Sequence, residues 1–229
     1  MPTEIQQISS ESDSVPMPGT RLSAGLGGRH WKRWLDLAFT LVTLPVFLPL
    51  GLVIACLIKL DSRGPVLVRL KRVGKDRSIF YKYKFRTMAP DAEKILQDLL
   101  RLNEEVRAEY ESTYKIKNDP RITRFGRLLR RTSLDELPQI LNVVRGDMSW
   151  VGPRDILDSE LKMYGEFADK FVTVKPGITG LWQVSGRSKL PYSERVRLDV
   201  YYIDNTSLLL DLGILVRTVP VVLFGDGAI

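Results

Sequence analysis

Two adjacent carboxylates, Asp135 and Glu136, lie within Arg131-Thr132-Ser133-Leu134-Asp135-Glu136-Leu137-Pro138-Gln139, directly after a basic run of Arg124, Arg127, Arg130 and Arg131. A carboxylate can attack phosphorus and form an acyl phosphate, splitting a group transfer into two steps. Cations around it offset the repulsion as it approaches an anionic substrate. A purely structural reading stands beside this one. Ser133, followed three residues later by Glu136 and then by Leu137, Ile140 and Leu141, is the pattern of a capping box. It predicts an α-helix opening at Ser133, with both acids in a first turn where the macrodipole favours negative charge.

What the chain lacks narrows the chemistry. Its 229 residues contain one histidine, His30, and one cysteine, Cys56, which lies in the most apolar stretch. That argues against Ser-His-Asp or Cys-His catalysis and against a zinc site, and it leaves no intrachain disulfide. Reactive groups are then Asp, Glu, Lys, Arg or Tyr, and any metal is a hard cation held by oxygens. The net charge of +7 suits a polyanionic partner: nucleic acid, anionic lipid or a phosphate-bearing substrate.

The elements that must position these groups begin after residues 1–29, a tail rich in Ser, Pro, Gly and Gln that reads as disordered and not as a signal peptide. Residues 30–59 hold Trp31 and Trp34, then an uncharged run from Leu37 to Ile58 closed by Lys59. About 22 helical residues reach roughly 33 Å, enough to cross a bilayer. Pro45 and Pro49 interrupt that run, and both flanks are basic: Lys32 and Arg33 before it, Lys59 and Arg63 after it. A helix that enters, bends at the prolines and returns keeps both ends on one side; the alternative is a kinked spanning helix.

Residues 60–229 read as the cytoplasmic-face domain. Pro65–Leu70 and Ile79–Arg86, around a turn at Gly74-Lys75-Asp76, predict a basic β-hairpin. That hairpin is either a solvated or lipid-facing surface or a binding surface for a pyrophosphate or lipid phosphate. Asp91–Glu111 predicts one amphipathic helix, with Ile95, Leu99, Leu102, Val106 and Tyr110 on its apolar stripe. Arg145–Arg154 and Lys175–Arg187 are glycine-bearing loops around arginines, either tight connectors or cradles for a ligand. Leu208–Phe224 suits an interfacial or core helix. The fold class that follows is α+β: a small helix-rich domain with a basic hairpin, a proline-bent membrane helix and interfacial helices.

With these pieces in order, the chain resembles the bacterial sugar transferase family, the monotopic phosphoglycosyl transferases that begin exopolysaccharide and other glycan assembly. The likeness runs from about Lys32 to Gly225 through Lys59-Leu60-Asp61, Gly64-Pro65-Val66, Arg72-Val73-Gly74, Lys84-Phe85-Arg86-Thr87-Met88 and Asp119-Pro120-Arg121-Ile122-Thr123. It continues through Ser133–Gln139, Gly146-Asp147-Met148-Ser149, Val151-Gly152-Pro153-Arg154, Pro176–Gly180 and Asp199-Val200-Tyr201-Tyr202.

The resemblance implies transfer of a sugar-1-phosphate from a UDP-sugar to polyprenyl (undecaprenyl) phosphate at the cytoplasmic face of the plasma membrane, with release of UMP and with Mg2+ as cofactor. Glucose or galactose is the sugar expected from the exopolysaccharide members. Asp135 matches the family's nucleophile and Glu136 its partner carboxylate; the two are the candidate metal ligands, with Glu136 alternatively an acid/base that manages protons. Arg154 matches a phosphate-contacting arginine, and Pro49 the proline that bends the membrane helix. Gly152, Pro153, Lys84, Arg86, Arg187 and Asp199 are further candidate substrate or phosphate contacts within or beside the matched motifs. Leu48, Leu70 and Asp155 stand where the family commonly has Ser, Gln and a second Pro. Membrane lipids are expected partners, as is a homo-oligomer; nucleic acid is not. The competing classes are a membrane-tethered nucleic-acid binder, suggested by Phe80, Tyr81, Tyr83 and Phe85 between the hairpin's cations, and a silent membrane scaffold.

Overall fold

A computed structural model of the chain describes residues 30–113, 116 and 118–224. The tail read as disordered, residues 1–29, lies outside the described residues. What is described is helix-rich, with two small two-stranded sheets and one long apolar helix, compatible with an α+β class.

Helix α1, His30–Asp61, is unbroken through Pro45 and Pro49, each of which removes one main-chain donor. It is long and apolar enough to cross a membrane, yet little of its apolar stretch is buried. One stripe of it packs on the rest of the molecule. Asp36 accepts from Ser149 Oγ and from the Trp150 amide at 2.8 and 2.9 Å. Phe39 meets the Trp150 ring edge-on at 4.8 Å, and Ile54 and Ile58 pack with Phe85 and Leu129. The stripe recurs every three or four residues, as one helix face must. The other face leaves Trp34, Leu41, Val42, Val46, Leu52 and Val53 exposed.

Strands β1, Leu67–Val73, and β2, Ile79–Phe85, pair antiparallel with Leu70 opposite Lys82 and Val68 opposite Lys84. The amphipathic stretch that follows is two helices, not one: α2, Ala92–Leu102, and α3, Glu104–Thr113. Asn103 is extended, and its Oδ1 accepts from the Val106 amide at 3.1 Å, so an N-cap interrupts the expected stripe. Leu102, expected on the apolar side, is exposed, and Leu96 is the residue α2 buries.

After α4, Arg124–Arg131, a 3-10 segment Leu134–Gln139 leads into α5, Ile140–Arg145, which ends on Gly146 at φ 89°, a left-handed position suited to glycine. Strands β3, Ser149–Val151, and β4, Gly177–Thr179, pair in parallel. Between them lie the 3-10 segment Asp158–Phe167 and α6, Ala168–Phe171. Short helix α7, Leu181–Val184, precedes α8, Tyr192–Asp204, and α9, Leu208–Phe224. Helix α9 has one core face and one exposed apolar face: Asp211 and Ile214 are buried, while Leu209, Val216 and Val219 are exposed.

Candidate active site

The acid pair does not sit where a capping box would put it. Ser133 is left-handed at φ 56°, makes no side-chain cap, and is followed by a 3-10 turn. Pro138 weighs against the regular helix: it supplies no amide, and its ring disfavours the α conformation at Leu137, while left-handed Ser133 leaves no capping geometry. The α-helix begins at Ile140 instead. Asp135 is buried and Glu136 half-buried in that tight turn, packed against β2.

Strand alternation supplies the facing charges. On β2 the side chains of Phe80, Lys82 and Lys84 point to one face, with Tyr81 on the other. Lys84 Nζ bridges the pair, 2.8 Å from Asp135 Oδ2 and 2.9 Å from Glu136 Oε1. Two residues earlier, Lys82 Nζ lies 2.6 Å from Asp155, which also accepts from Arg72 Nε at 2.8 Å. The hairpin's cations are thus divided. Lys82, Lys84 and Arg72 neutralise buried acids, whereas Arg69 and Lys71 face outward.

Burial alone would raise the Glu136 carboxyl, but the charges of Lys84, Lys82 and Arg154 overcome it and hold it down to about 2. Burial works in the same direction on Asp155, and Lys82, Arg154 and Arg72 likewise hold it below the usual carboxylate range. Burial would lower the Lys84 ammonium; Glu136 and Asp135 raise it above its ordinary value instead.

Arg154 links these carboxylates to a second group. It is exposed, its guanidinium 5.3 Å from the Trp182 ring centroid, and its charge acts on Glu136, Asp155 and Asp199. Arg195 lies 5.2 Å from the same Trp182 ring and 5.0 Å from the Tyr192 ring. Asp199, one helical turn beyond Arg195 and buried, accepts from Tyr164 OH at 2.8 Å. Burial pushes its carboxyl up to about 6, against the Tyr164 hydrogen bond and the charges of Arg195 and Arg154.

The expected contacts fall unevenly around this centre. Lys84, Arg154 and Asp199 are within electrostatic or hydrogen-bonding reach of it. Gly152 and Pro153 serve the backbone packing beneath it: Gly152 N donates to Thr179 O at 2.9 Å and Gly177 N to Pro153 O at 2.8 Å. A Cβ on Gly177 would lie 2.1 Å from Gly152 N, so these glycines permit a close crossing of two chains, the tight-connector reading. Arg86 turns away, donating to Ser62 O and Oγ at 2.7 and 2.9 Å. Arg187 lies half-buried on the turn after α7.

The sequence reading missed Lys82, Asp155, Trp182, Arg195 and Tyr164 as members of this network. Strand alternation from Lys84 points to Lys82, and helical spacing from Asp199 points to Arg195; nothing local marks Tyr164. Asp155, next to Arg154, is the buried counter-charge of Lys82 and Arg72.

Among the described residues there is no group of three His, Cys, Asp or Glu placed to hold a metal. Asp135 and Glu136 offer two neighbouring carboxylates. That set fits Mg2+, which binds through one or two carboxylates with waters and substrate phosphates completing its octahedron. Because Lys84 bridges the same two groups, it would compete with a divalent ion for their oxygens.

Residues 27–225 match the family described as bacterial sugar transferase. The chain is 44% identical over 200 residues to the undecaprenyl-phosphate galactose phosphotransferase of Salmonella typhimurium, covering 87% of this chain and 42% of that protein. It is equally similar, at 44% over 200 residues and the same coverage, to the UDP-galactose-lipid carrier transferase of Erwinia amylovora. It is 42% identical over 197 residues to the exopolysaccharide production protein ExoY of Rhizobium meliloti, covering 86% of this chain and 87% of that protein. The chain therefore spans less than half the length of the first two relatives and most of the third. The chain belongs to the bacterial sugar transferase family.

Proposed function

We propose that this family member transfers a sugar-1-phosphate from a UDP-sugar to polyprenyl phosphate and releases UMP, in two steps through Asp135. The observation that carries the reading is the Asp135–Glu136 pair on a single shared ammonium, with the charge of Arg154 acting on Glu136. Two acids on one cation leave a local negative surplus that a diphosphate and its counter-ion can complete. The names of the relatives, a galactose phosphotransferase and a lipid carrier transferase, supply the substrate class.

In the first step a carboxylate oxygen of Asp135 attacks the β-phosphorus. The bond from that phosphorus to the bridging oxygen breaks, and UMP leaves with the electron pair. In the second, a phosphate oxygen of the polyprenyl phosphate attacks the same phosphorus, forms the lipid diphosphate sugar and returns Asp135 as a carboxylate. Lys84 is held in place before reaction by its two ion pairs, and it and Arg154 favour the charge that spreads over the phosphoryl oxygens. Mg2+, held by Asp135 and Glu136, would neutralise phosphate charge and orient the diphosphate. Glu136, held ionised, is suited to metal binding rather than to donating a proton.

The long apolar helix fits membrane association, and we read α1 as re-entrant at the cytoplasmic face. Both of its ends are fixed to one body: Lys32 Nζ lies 2.5 Å from Asp211, and Ile58 packs with Phe85 and Leu129. A crossing helix would carry one end to the far side. In a Cys56→Ser background, cysteines placed at Trp34 and Leu60 should react with an impermeant thiol reagent from the same side of sealed vesicles; labelling from opposite sides would sink the re-entrant reading.

The function is tested by UMP release from a panel of UDP-sugars in the presence of polyprenyl phosphate and Mg2+. The wild-type chain should release UMP with at least one hexose donor, and chelation should stop it. An Asp135→Asn chain that turns over at the wild-type rate refutes the assignment.

A further inference from the structure

Five of the nine buried side-chain polar atoms without a hydrogen-bond partner among the described residues are gathered in one place. They are Nε and Nη2 of Arg195, Nε1 of Trp182, the hydroxyl of Tyr192 and Oδ1 of Asp199. Arg195 faces both aromatic rings, and its Nε lies 3.8 Å from Asp199, an ion pair too long to be a hydrogen bond. Arg195, Asp199 and Trp182 are each less than 10% exposed. Leaving a buried donor or acceptor unpaired costs more than an average hydrogen bond gains, so five such atoms together call for a partner.

The polarity of the set says what kind of partner. Arg195 and Trp182 can only donate, Asp199 in its ionised form can only accept, and Tyr192 can do either. A phosphate would satisfy the donors but would meet the Asp199 carboxylate. An apolar ligand would satisfy none. A ring of hydroxyl groups accepts from Arg195 and Trp182 and donates to Asp199, while the Trp182 and Tyr192 rings offer apolar faces to its C–H edges.

Position narrows the choice further. Arg154 stands between this cluster and the reacting acids, near Trp182 on one side and acting on Glu136 on the other. A sugar joined to a phosphate held at Arg154 and Asp135 is the hydroxylated ring that reaches past Arg154.

We propose that Arg195, Trp182, Tyr192 and Asp199 form the pocket for the sugar ring of the donor and decide which hexose is transferred. This rests on the UDP-sugar reading above. Arg154, beside Trp182, is the exposed residue at its border.

The test uses the full chain in nanodiscs, with UMP release from several UDP-hexoses and inhibition by UMP, which carries no sugar. Tyr192→Phe deletes one hydroxyl; Trp182→Phe keeps an aromatic ring and deletes the indole N–H together with part of the ring; Arg195→Lys keeps the charge. Each should lower kcat/KM for the preferred UDP-hexose about 3- to 10-fold and shrink its preference over the other hexoses by a similar factor. Inhibition by UMP should stay within about 2-fold of wild type, because UMP makes none of these contacts.

Unchanged hexose preference in folded Tyr192→Phe and Trp182→Phe chains would overturn the proposal and leave a structural cluster satisfied by water. Loss of UMP inhibition in step with loss of UDP-hexose turnover would also overturn it, assigning the pocket to the nucleotide. A wild-type chain that releases no UMP from any UDP-hexose refutes the underlying reaction instead. Equilibrium binding of a UDP-hexose against UMP to the same variants then still decides the pocket.

Discussion

Lys82 and Lys84 stand two residues apart on one face of one strand, yet they serve opposite kinds of carboxylate. At Lys82, two cations converge on a single acid: Asp155 takes Lys82 at 2.6 Å and Arg72 at 2.8 Å, and both Lys82 and Asp155 are buried. That centre is closed, its charge satisfied within the protein. At Lys84, one ammonium is divided between two acids, partly open to solvent, and the nearby Arg154 forms no ion pair among the described residues. The acids assigned to chemistry are the ones left short of cations. The acid assigned to holding the hairpin in place is the one oversupplied.

The contrast is broken first by exchanging the loss. Asp135→Asn should reduce UMP release by about 10^3-fold or more while the unfolding midpoint hardly moves, since the amide keeps the shape and loses the nucleophile. Asp155→Asn should do the reverse in kind, lowering the midpoint in a thermal melt. If Asp155→Asn abolished turnover in a protein as stable as wild type, the two centres would not differ in the way described.

Lys84→Met is next, with an expected loss of about 10^2-fold in kcat/KM, the scale for deleting one pre-placed electrostatic contact. Its effect on stability should be smaller than that of Lys82→Met, because Lys84 and Glu136 are partly open to solvent. Lys82→Met should instead cost about 3 kcal/mol in denaturant unfolding, since it removes one partner of a buried pair. Equal stability losses in the two methionine variants would erase the distinction.

The smallest effect concerns pH. Glu136, held down to about 2, stays ionised at neutral pH and contributes no limb there. The stability it adds is present above its ordinary 4.5 and is lost as pH falls through about 2. Asp199 has the opposite sign: raised from 3.8 to about 6, it adds stability fully present below 3.8 and lost as pH rises through about 6. A few-fold inflection in kcat/KM near pH 6 should therefore appear in the wild type and in His30→Gln, and vanish in Asp199→Asn. Its persistence in Asp199→Asn would assign the titration elsewhere.

How far the sequence disclosed this arrangement depended on whether the signal was local. Asp135 and Glu136 were legible because adjacent acids after four arginines are visible without a fold. Their backbone was not, because Ser133 and Glu136 satisfy the capping-box spacing while Ser133 is left-handed and Pro138, two residues after Glu136, disfavours the helix it implies. The length of α1 could be read from its missing charges. Its packed stripe could not, since a run that is apolar on every side carries no contrast between faces. Asn103 looked like one more polar residue on an amphipathic helix and acts as a cap between two. The division of the hairpin's cations needed its register, because only pairing and alternation show that Lys82 and Lys84 point inward while Arg69 and Lys71 do not. Trp182, Arg195 and Tyr164 come from three separated segments, and nothing in any one of them announces the other two.

The central claim is that residue 135 carries the sugar phosphate between donor and acceptor. It is tested most directly by mixing the chain with a UDP-hexose labelled in its β-phosphate, without polyprenyl phosphate, and quenching within one turnover. The label should be recovered on the peptide containing Asp135, with the added mass of a hexose phosphate, and should leave that peptide when polyprenyl phosphate is supplied. Label that passes to the lipid with residue 135 unmodified at every quench time would mean that the two substrates react directly.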